Sequence, residues 1–356
     1  MRTATAELPL DRMRSLLLDK DRAPRQQPQK AKAVSPAKPE KPKAEPKSDA
    51  LIPTIFHEPW WLDKATGGRC EQVDVELGGV TVGRLPYLKF RENGLTSIGM
   101  PTLTHFLGPA IDLGQGNSTT RQLRGLSIAG DLLAALPKVS GSVWIKLHAG
   151  ITDTIAFQEH GFRTDVQFTT EIAPDAEDAL WSRMRDKTRN VIRRAQERFT
   201  IREEDDPERF LAFYLDNLRQ RGLRNTYHMP SVKAVIAECL RRGRGKIQIA
   251  LDEGGGYNSA IFTVWDRRAQ YYLMSTRSHD AGNGATSMLL WDGIKNAAGN
   301  NLVFDFDGAR HGADAKFFAG FGGTFRPRYW VWKSSVASRA LGLLATLVRR
   351  GATGEG

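Results

Sequence analysis

From Leu51 onward the chain alternates between two hydrophobic periods. In VDVELGGVTV (73–82) the apolar residues take every second position on either side of Gly78 and Gly79, which predicts a β-hairpin. GRLPYL (83–88) continues or ends it, and a stretch rich in Gly and Pro follows, IGMPTLTHFLGPAIDLGQG. A helix is expected over Leu123–Leu136 and a strand over Ser142–Leu147, then helix, turn and strand from residue 151, ending in DVQFTTEI. From Ala176 to Arg198 the period changes: Leu180, Trp181, Met184, Val191, Ile192 and Ala195 recur at helical spacing, and arginines occupy the other face. Pro207 opens a helix through Arg221 behind the cap candidates Asp205 and Asp206, and another helix is expected over Ser231–Arg242. KIQIAL, SAIFTVW and QYYLMS then form an antiparallel meander. After it come a glycine-bearing loop, a helix over Ala285–Ala298, a strand over Leu302–Phe306, a short helix near Ala313–Phe318 and a strand over Phe325–Trp332.

These patterns divide the 356 residues into a Pro- and Lys-rich tail (1–50), a first mixed unit (51–170), a second (171–333) and a C-terminal segment (334–356). APRQQPQKAKAVSPAKPEKPKAEPKS has almost nothing to bury, so the tail is expected to be disordered, either a solvated linker or a basic arm. LDRMRSLLLDK within it has the pattern of a short amphipathic helix. In the C-terminal segment Val336, Ala340, Leu343, Leu344, Leu347 and Val348 share one helical face, which suits docking on the protein itself or on an anionic membrane.

The formal charge of +11 and a pI near 9.7 imply an anionic partner: nucleic acid, a membrane surface or a phosphorylated substrate. The two cysteines, Cys70 and Cys239, fit neither a disulfide framework nor a zinc site. The apolar run Leu16–Leu18 sits among acidic residues and is too short for a signal peptide, and no 18-residue apolar stretch occurs. A cytoplasmic protein without a metal is expected, with peripheral contact to the inner membrane face left open.

The candidate chemistry lies near the C-terminal end. Gly282, Asn283, Gly284 and Ala285 precede a helix, whose free N–H groups and dipole receive an anion, although two glycines also serve simply to turn the chain. No Gly-Lys-Ser/Thr closes this loop, which disfavours ATP chemistry. Strand alternation in LVFDFD puts Asp305 and Asp307 on one face, where they offer a general base for an amine nucleophile or, alternatively, a turn cap and an arginine partner. His311 is the third catalytic candidate, and His279, Arg310 and Lys316 flank it. Arg189 and Arg193, in a helix also carrying Arg183, Arg185, Lys187 and Arg194, are candidates for phosphate contacts or a solvated face. Trp61 and Tyr87, with Trp60, His105 and Pro109, suit an acceptor cleft or the core.

FHEPWWLDKATGG, MPTLTHFLGPAID, LWSRMRDKTRNVIRRAQE, YYLMSTRSHDAGNGATSMLLWDGIKNAAGNN and FDFDGARHGADAKFFAGFGGTFRPRYWV, spread over residues 55–333, resemble the FemAB-like group of the GNAT acyltransferase superfamily. The resemblance implies an α+β fold of two tandem GNAT-like domains. It also implies transfer of an acyl group to an amine on an envelope or polysaccharide precursor. The donor, acyl-CoA such as acetyl-CoA or an aminoacyl-tRNA, would enter beside the strand ending at Ser275. Relatives often carry Phe-Lys before the terminal Phe-Gly, whereas Phe318 stands at the basic position here. A protein that keeps the fold only to bind an anionic partner is the rival reading, and oligomeric state is not legible.

Overall fold

The computed structural model describes residues 50–278, 284–309 and 311–335. The expected tail and nearly all of the C-terminal segment lie outside the described residues, as do His279, Gly282, Asn283 and Arg310. A 3₁₀ turn at Ile55–His57 leads into helix α1 (Pro59–Thr66). Strands β1 (Cys70–Leu77), β2 (Val80–Glu92), β3 (Leu95–Gly99) and β4 (Ala110–Ile111) follow, then α2 (Ser118–Ala135), β5 (Ser142–Lys146), α3 (Ile155–Glu159) and β6 (Arg163–Ile172). Next come α4 (Glu177–Arg183), α5 (Asp186–Gln196), β7 (Thr200–Glu204), α6 (Pro207–Gln220) and α7 (Met229–Arg241). The chain continues with β8 (Gly245–Leu251), β9 (Tyr257–Trp265), β10 (Ala269–Arg277), α8 (Ala285–Gly299), β11 (Val303–Asp305), α9 (Gly312–Ala319) and β12 (Thr324–Ser334).

Local chemistry accounts for most boundaries. Gly78 and Gly79 turn the β1–β2 hairpin with φ of 60° and 78°, which suits glycine. Asn117 starts α2 by accepting the Thr120 N–H, ahead of the apolar positions that predicted it, so the helix begins earlier than its hydrophobic period. Asp206 caps α6 through the Glu208 N–H. The single helix expected over Ala176–Arg198 is two helices: Met184 and Arg185 are extended, and the Arg185 N–H is taken by the Gly320 carbonyl at 3.0 Å.

All twelve strands of the described residues form one sheet, in the order β1-β2-β3-β5-β12-β6-β11-β10-β9-β8-β7, with β4 on β2. β3–β5 and β10–β11 are parallel pairs and the other pairs are antiparallel. β12 is inserted between β5 and β6, so the last described strand completes the first half of the sheet. The first residues in turn serve the second half: Ile55, Phe56 and Trp61 share one core with Phe210, Val235, Ile249, Phe262 and Tyr271. Another core sits beneath α2 and α3, with Leu85, Ile98, Ile145, Phe157 and Val331. The third joins α8 and α9 to β11, with Leu290, Ile294, Phe304, Phe306, Phe318 and Phe321. Gly293 lets α8 approach closely there, since an added Cβ would sit 3.1 Å from the Phe304 ring.

Phe304 is fully buried and meets Phe306 edge-on at 5.1 Å. Phe304→Ala is expected to cost about 3–5 kcal/mol in urea unfolding; a cost below about 1 kcal/mol would show that this core is not close-packed.

Candidate functional site

β10 and β11 pair over three positions only: Ala269 with Val303, Gln270 with Phe304 and Tyr271 with Asp305. β10 then runs on to Arg277, while the other branch turns away along β6, the Phe306 and Ala309 N–H groups donating to the carbonyls of Thr170 and Phe168. From Tyr272 onward that edge of β10 has no strand beside it among the described residues. The register with β9 slips between Tyr272 and Met274, so a bulge at Leu273 re-aims β10 where the two strands part. Ser275 lies exposed on the unpaired stretch, and Asn217 of α6 steadies the next residue by donating to the Thr276 hydroxyl at 2.9 Å. The chain then returns as α8, beginning at Gly284 and Ala285.

Below the fork a small pocket separates the first unit's loops from the sheet, with Thr54, Phe106 and Ala149 on one side and Glu171, Arg268, Tyr271, Asp305 and Arg328 on the other. Asp305 is buried at the end of β11. It accepts from the Thr169 hydroxyl at 2.5 Å, the Asp307 N–H at 2.8 Å and Arg328 Nη2 at 3.1 Å. Burial pushes its pKa up to about 6, against the opposing pull of Arg328. Arg328 also pairs with Glu171 and lies over the Phe106 ring.

Asp307 does not continue the alternation that predicted a shared face with Asp305. The strand has ended, and Asp307 adopts φ +61°. Its nearly buried carboxylate pairs with Nδ1 of His105, a residue of the first unit. The His105 ring stacks on Phe56, with centroids 6.2 Å apart and planes 14° apart, and Phe56 contacts Tyr271 at 5.2 Å. The sequence left His105 between an acceptor cleft and the core. What it missed was this partner, because no spacing links residues 202 positions apart.

Two buried histidines fix the loop that carries His105. His57 bridges the Thr54 hydroxyl (2.9 Å) and the Gly108 carbonyl (3.2 Å), and His148 bonds the Pro109 carbonyl (3.0 Å) and receives the Gly150 N–H (3.1 Å). Their rings meet edge to face at 5.1 Å. Burial holds both pKa values down, well below 6.5 for His57 and at about 4 for His148.

The other sequence candidates are dispersed. Trp61 is fully buried and donates to the Thr104 hydroxyl at 2.9 Å, so it supports the His105 loop from the core and does not line the cleft. Tyr87 is likewise core, its hydroxyl donating to Glu71 at 3.1 Å. Arg189 binds the Ser182 carbonyl at 3.0 Å and pairs with Asp186, and Arg193 stacks over Trp181 at 5.3 Å: both serve the α4–α5 corner. His311 is exposed and pairs with Asp314 at the start of α9. Phe318, at the position where relatives carry lysine, is buried against Phe306 at 4.6 Å, and Lys316 is exposed. Gly284 has φ +111°, and an added Cβ would sit 2.8 Å from the Val191 carbonyl, so helix packing alone already demands glycine there.

Residues 182–317, from α4 to α9, match the family model of the acetyltransferase (GNAT) domain. The crystal structure of FemX superposes with a TM-score of 0.55 at 12% identity, covering 80% of this chain and 93% of that one. Residues 182–317 thus carry the pattern of a GNAT acetyltransferase domain, and the chain shares its fold with FemX. The C-terminal domain of a putative lysylphosphatidylglycerol synthetase from Agrobacterium fabrum is similar at a TM-score of 0.50 and 12% identity, over 79% of this chain and 88% of that one. At such identities the likeness is one of fold. No curated protein matches the sequence. The fork, the bulge and the start of α8 all fall inside the matched domain, whereas His105 comes from outside it. Among the described residues no helix is long and apolar enough to cross a membrane, and no three His, Cys, Asp or Glu side chains are grouped as around a metal ion.

Two outcomes follow from this geometry. Gly284→Val is expected to lower thermal stability as well as any affinity at the fork, because both its φ and the Val191 backbone resist a side chain; an unchanged melting temperature would contradict the packing. The depressed pKa values of His57 and His148 mean that the unfolded chain takes up protons first as pH falls below 6.5, so stability is lost between about pH 6.5 and 4. Asp305, raised in the folded state, works in the opposite direction between about pH 6 and 4. His148→Gln is therefore expected to remove about 2 kcal/mol of the difference in unfolding free energy between pH 7 and pH 5, checked by urea titration at both pH values.

Proposed function

We propose that this protein is an acyltransferase, moving an acyl group, acetyl in the simplest case, from acyl-CoA to an amine carried by a cell-envelope or polysaccharide precursor. The observation that carries the reading is the fork. A strand edge with unpaired backbone groups, a bulge and a following helix start together form a slot in which backbone amides meet a carbonyl oxygen and the helix terminus meets a diphosphate. Gly284 and Ala285 of that helix, with Gly282 and Asn283 before it, would hold the diphosphate, and the stretch around Ser275 would hold the acyl arm. The acceptor amine would approach through the cleft between the units. Asp307 stands beside the fork mouth and is the carboxylate best placed to take part in proton transfer. Asp305, bound by Thr169 and Arg328, shapes the turn and the cleft floor. His311 has no part in this reading, being exposed on α9. The basic face of α4 and α5 is available to an anionic partner, including a membrane surface.

A second donor, aminoacyl-tRNA, is favoured by the fold shared with FemX and with the putative lysylphosphatidylglycerol synthetase domain. Isothermal titration of the full chain with acetyl-CoA, and separately with charged tRNA, discriminates the readings. Saturable binding of acetyl-CoA is expected. Binding of charged tRNA alone would transfer the role to the second donor, and binding of neither would leave a fold retained for recognition without transfer.

A further inference from the structure

We propose that His105 is the base that removes the acceptor's proton and that Asp307 positions it, the two halves of one dyad being supplied by the two units of the fold. The inference rests on the acyl-transfer reading and adds to it a residue outside the GNAT-matched region.

The backbone marks the pair. Four residues other than glycine have positive φ among the described residues: Asn93, Asn301 and Asp307, of types that tolerate it, and Leu103, which does not. Leu103 is buried two residues before His105, so that segment holds a costly conformation beside the ring, and Asp307, its partner, reaches it from a left-handed turn. The His105 loop is tied down along its length. Thr104 accepts from Trp61, the Leu107 N–H donates to Lys146 O at 2.8 Å, the His148 N–H returns to Leu107 O at 3.0 Å, and His57 and His148 grip the next two carbonyls. A side chain held this firmly loses little freedom on meeting a substrate.

Exposure divides the roles. The Asp307 side chain is 2% exposed and that of His105 is 16% exposed, so an edge of the ring reaches solvent while its Nε2 and the carboxylate behind it are buried. With Nδ1–H directed to Asp307, the imidazole presents Nε2 as its proton acceptor. The surrounding charged groups are engaged otherwise: Asp305 and Glu171 with Arg328, and Asp266 with the Ile55 N–H and the Tyr271 hydroxyl, while Arg268 lines the cleft. The Phe56 ring between His105 and Tyr271 puts the imidazole one aromatic layer from the residue at which β10 and β11 part.

In the step assigned to this dyad, the acceptor nitrogen attacks the donor's carbonyl carbon and Nε2 takes the proton that the nitrogen sheds. The tetrahedral adduct expels the thiolate or ribose oxygen, which receives that proton. The sum is acyl donor plus amine giving amide plus free thiol or hydroxyl, with no oxidant or reductant.

The test measures transfer to glucosamine as an amine probe, from acetyl-CoA by thiol release and from charged tRNA by deacylation, together with donor affinity by titration. His105→Ala is expected to lower kcat about 100-fold with donor affinity within about two-fold, and added imidazole to restore about ten-fold of the loss. Asp307→Asn is expected to lower kcat about ten-fold with KM unchanged, and His105→Gln, which keeps the ring's polar reach, to be as impaired as His105→Ala while melting like the wild type. Transfer by His105→Ala above half the wild-type rate, or a loss that imidazole does not relieve in a protein that still binds donor, would overturn the dyad. Wild-type protein inactive with both donors would instead overturn the acyl-transfer reading on which it rests.

Discussion

The ring of Phe56 is where the two halves of this protein are fastened. It is fully buried and touches Trp61 at 5.0 Å from its own segment, His105 and Phe106 at 6.2 Å from the first unit, and Tyr271 at 5.2 Å from the second. Removing such a ring from water contributes about 2–3 kcal/mol, and the same contact sets how far the loop with His105 stands from the sheet. The neighbouring Asp266 carboxylate accepts the Ile55 N–H at 3.0 Å, which orients the turn that delivers Phe56.

Polar burial around that spacer is one-sided. On the sheet side Arg328 bridges Glu171 and Asp305, a buried arrangement whose desolvation is offset by hydrogen bonds to nearly every oxygen involved. On the loop side two histidines are buried uncharged, each bonded to a backbone carbonyl. The loop side therefore depends on neutrality and the sheet side on paired charge, and acid acts on them in opposite senses.

Period and turn chemistry made elements of both units readable: the meander and the long helix after it in the second, and the hairpin at Gly78–Gly79 in the first, stand close to their expected bounds. The departures have local causes that a hydrophobic pattern does not record. Met184 and Arg185 break a helix because a carbonyl from Gly320 is waiting for the Arg185 N–H. α1 looked like the start of the first unit, yet it packs on α7 of the second, since apolar residues say that a face is buried and not what buries it. The candidate site was legible in part. Asp305, Asp307 and the Gly284 helix start were marked by residue type and spacing, but the pairing of Asp307 with His105 follows from a left-handed turn at the end of a three-residue strand. Trp61 and Tyr87 carried the composition of a binding cleft and the burial of a core.

The insertion of β12 between β5 and β6 also orders the birth of the molecule. During synthesis β5 and β6 emerge long before residues 324–334, so each offers an unsatisfied edge to its neighbours until that strand has been made. The first half cannot close as an independent module on the ribosome. Its completion waits on contacts between residues nearly 200 positions apart, such as Ser142 with Ser334, which places a slow, high-contact-order step late in folding.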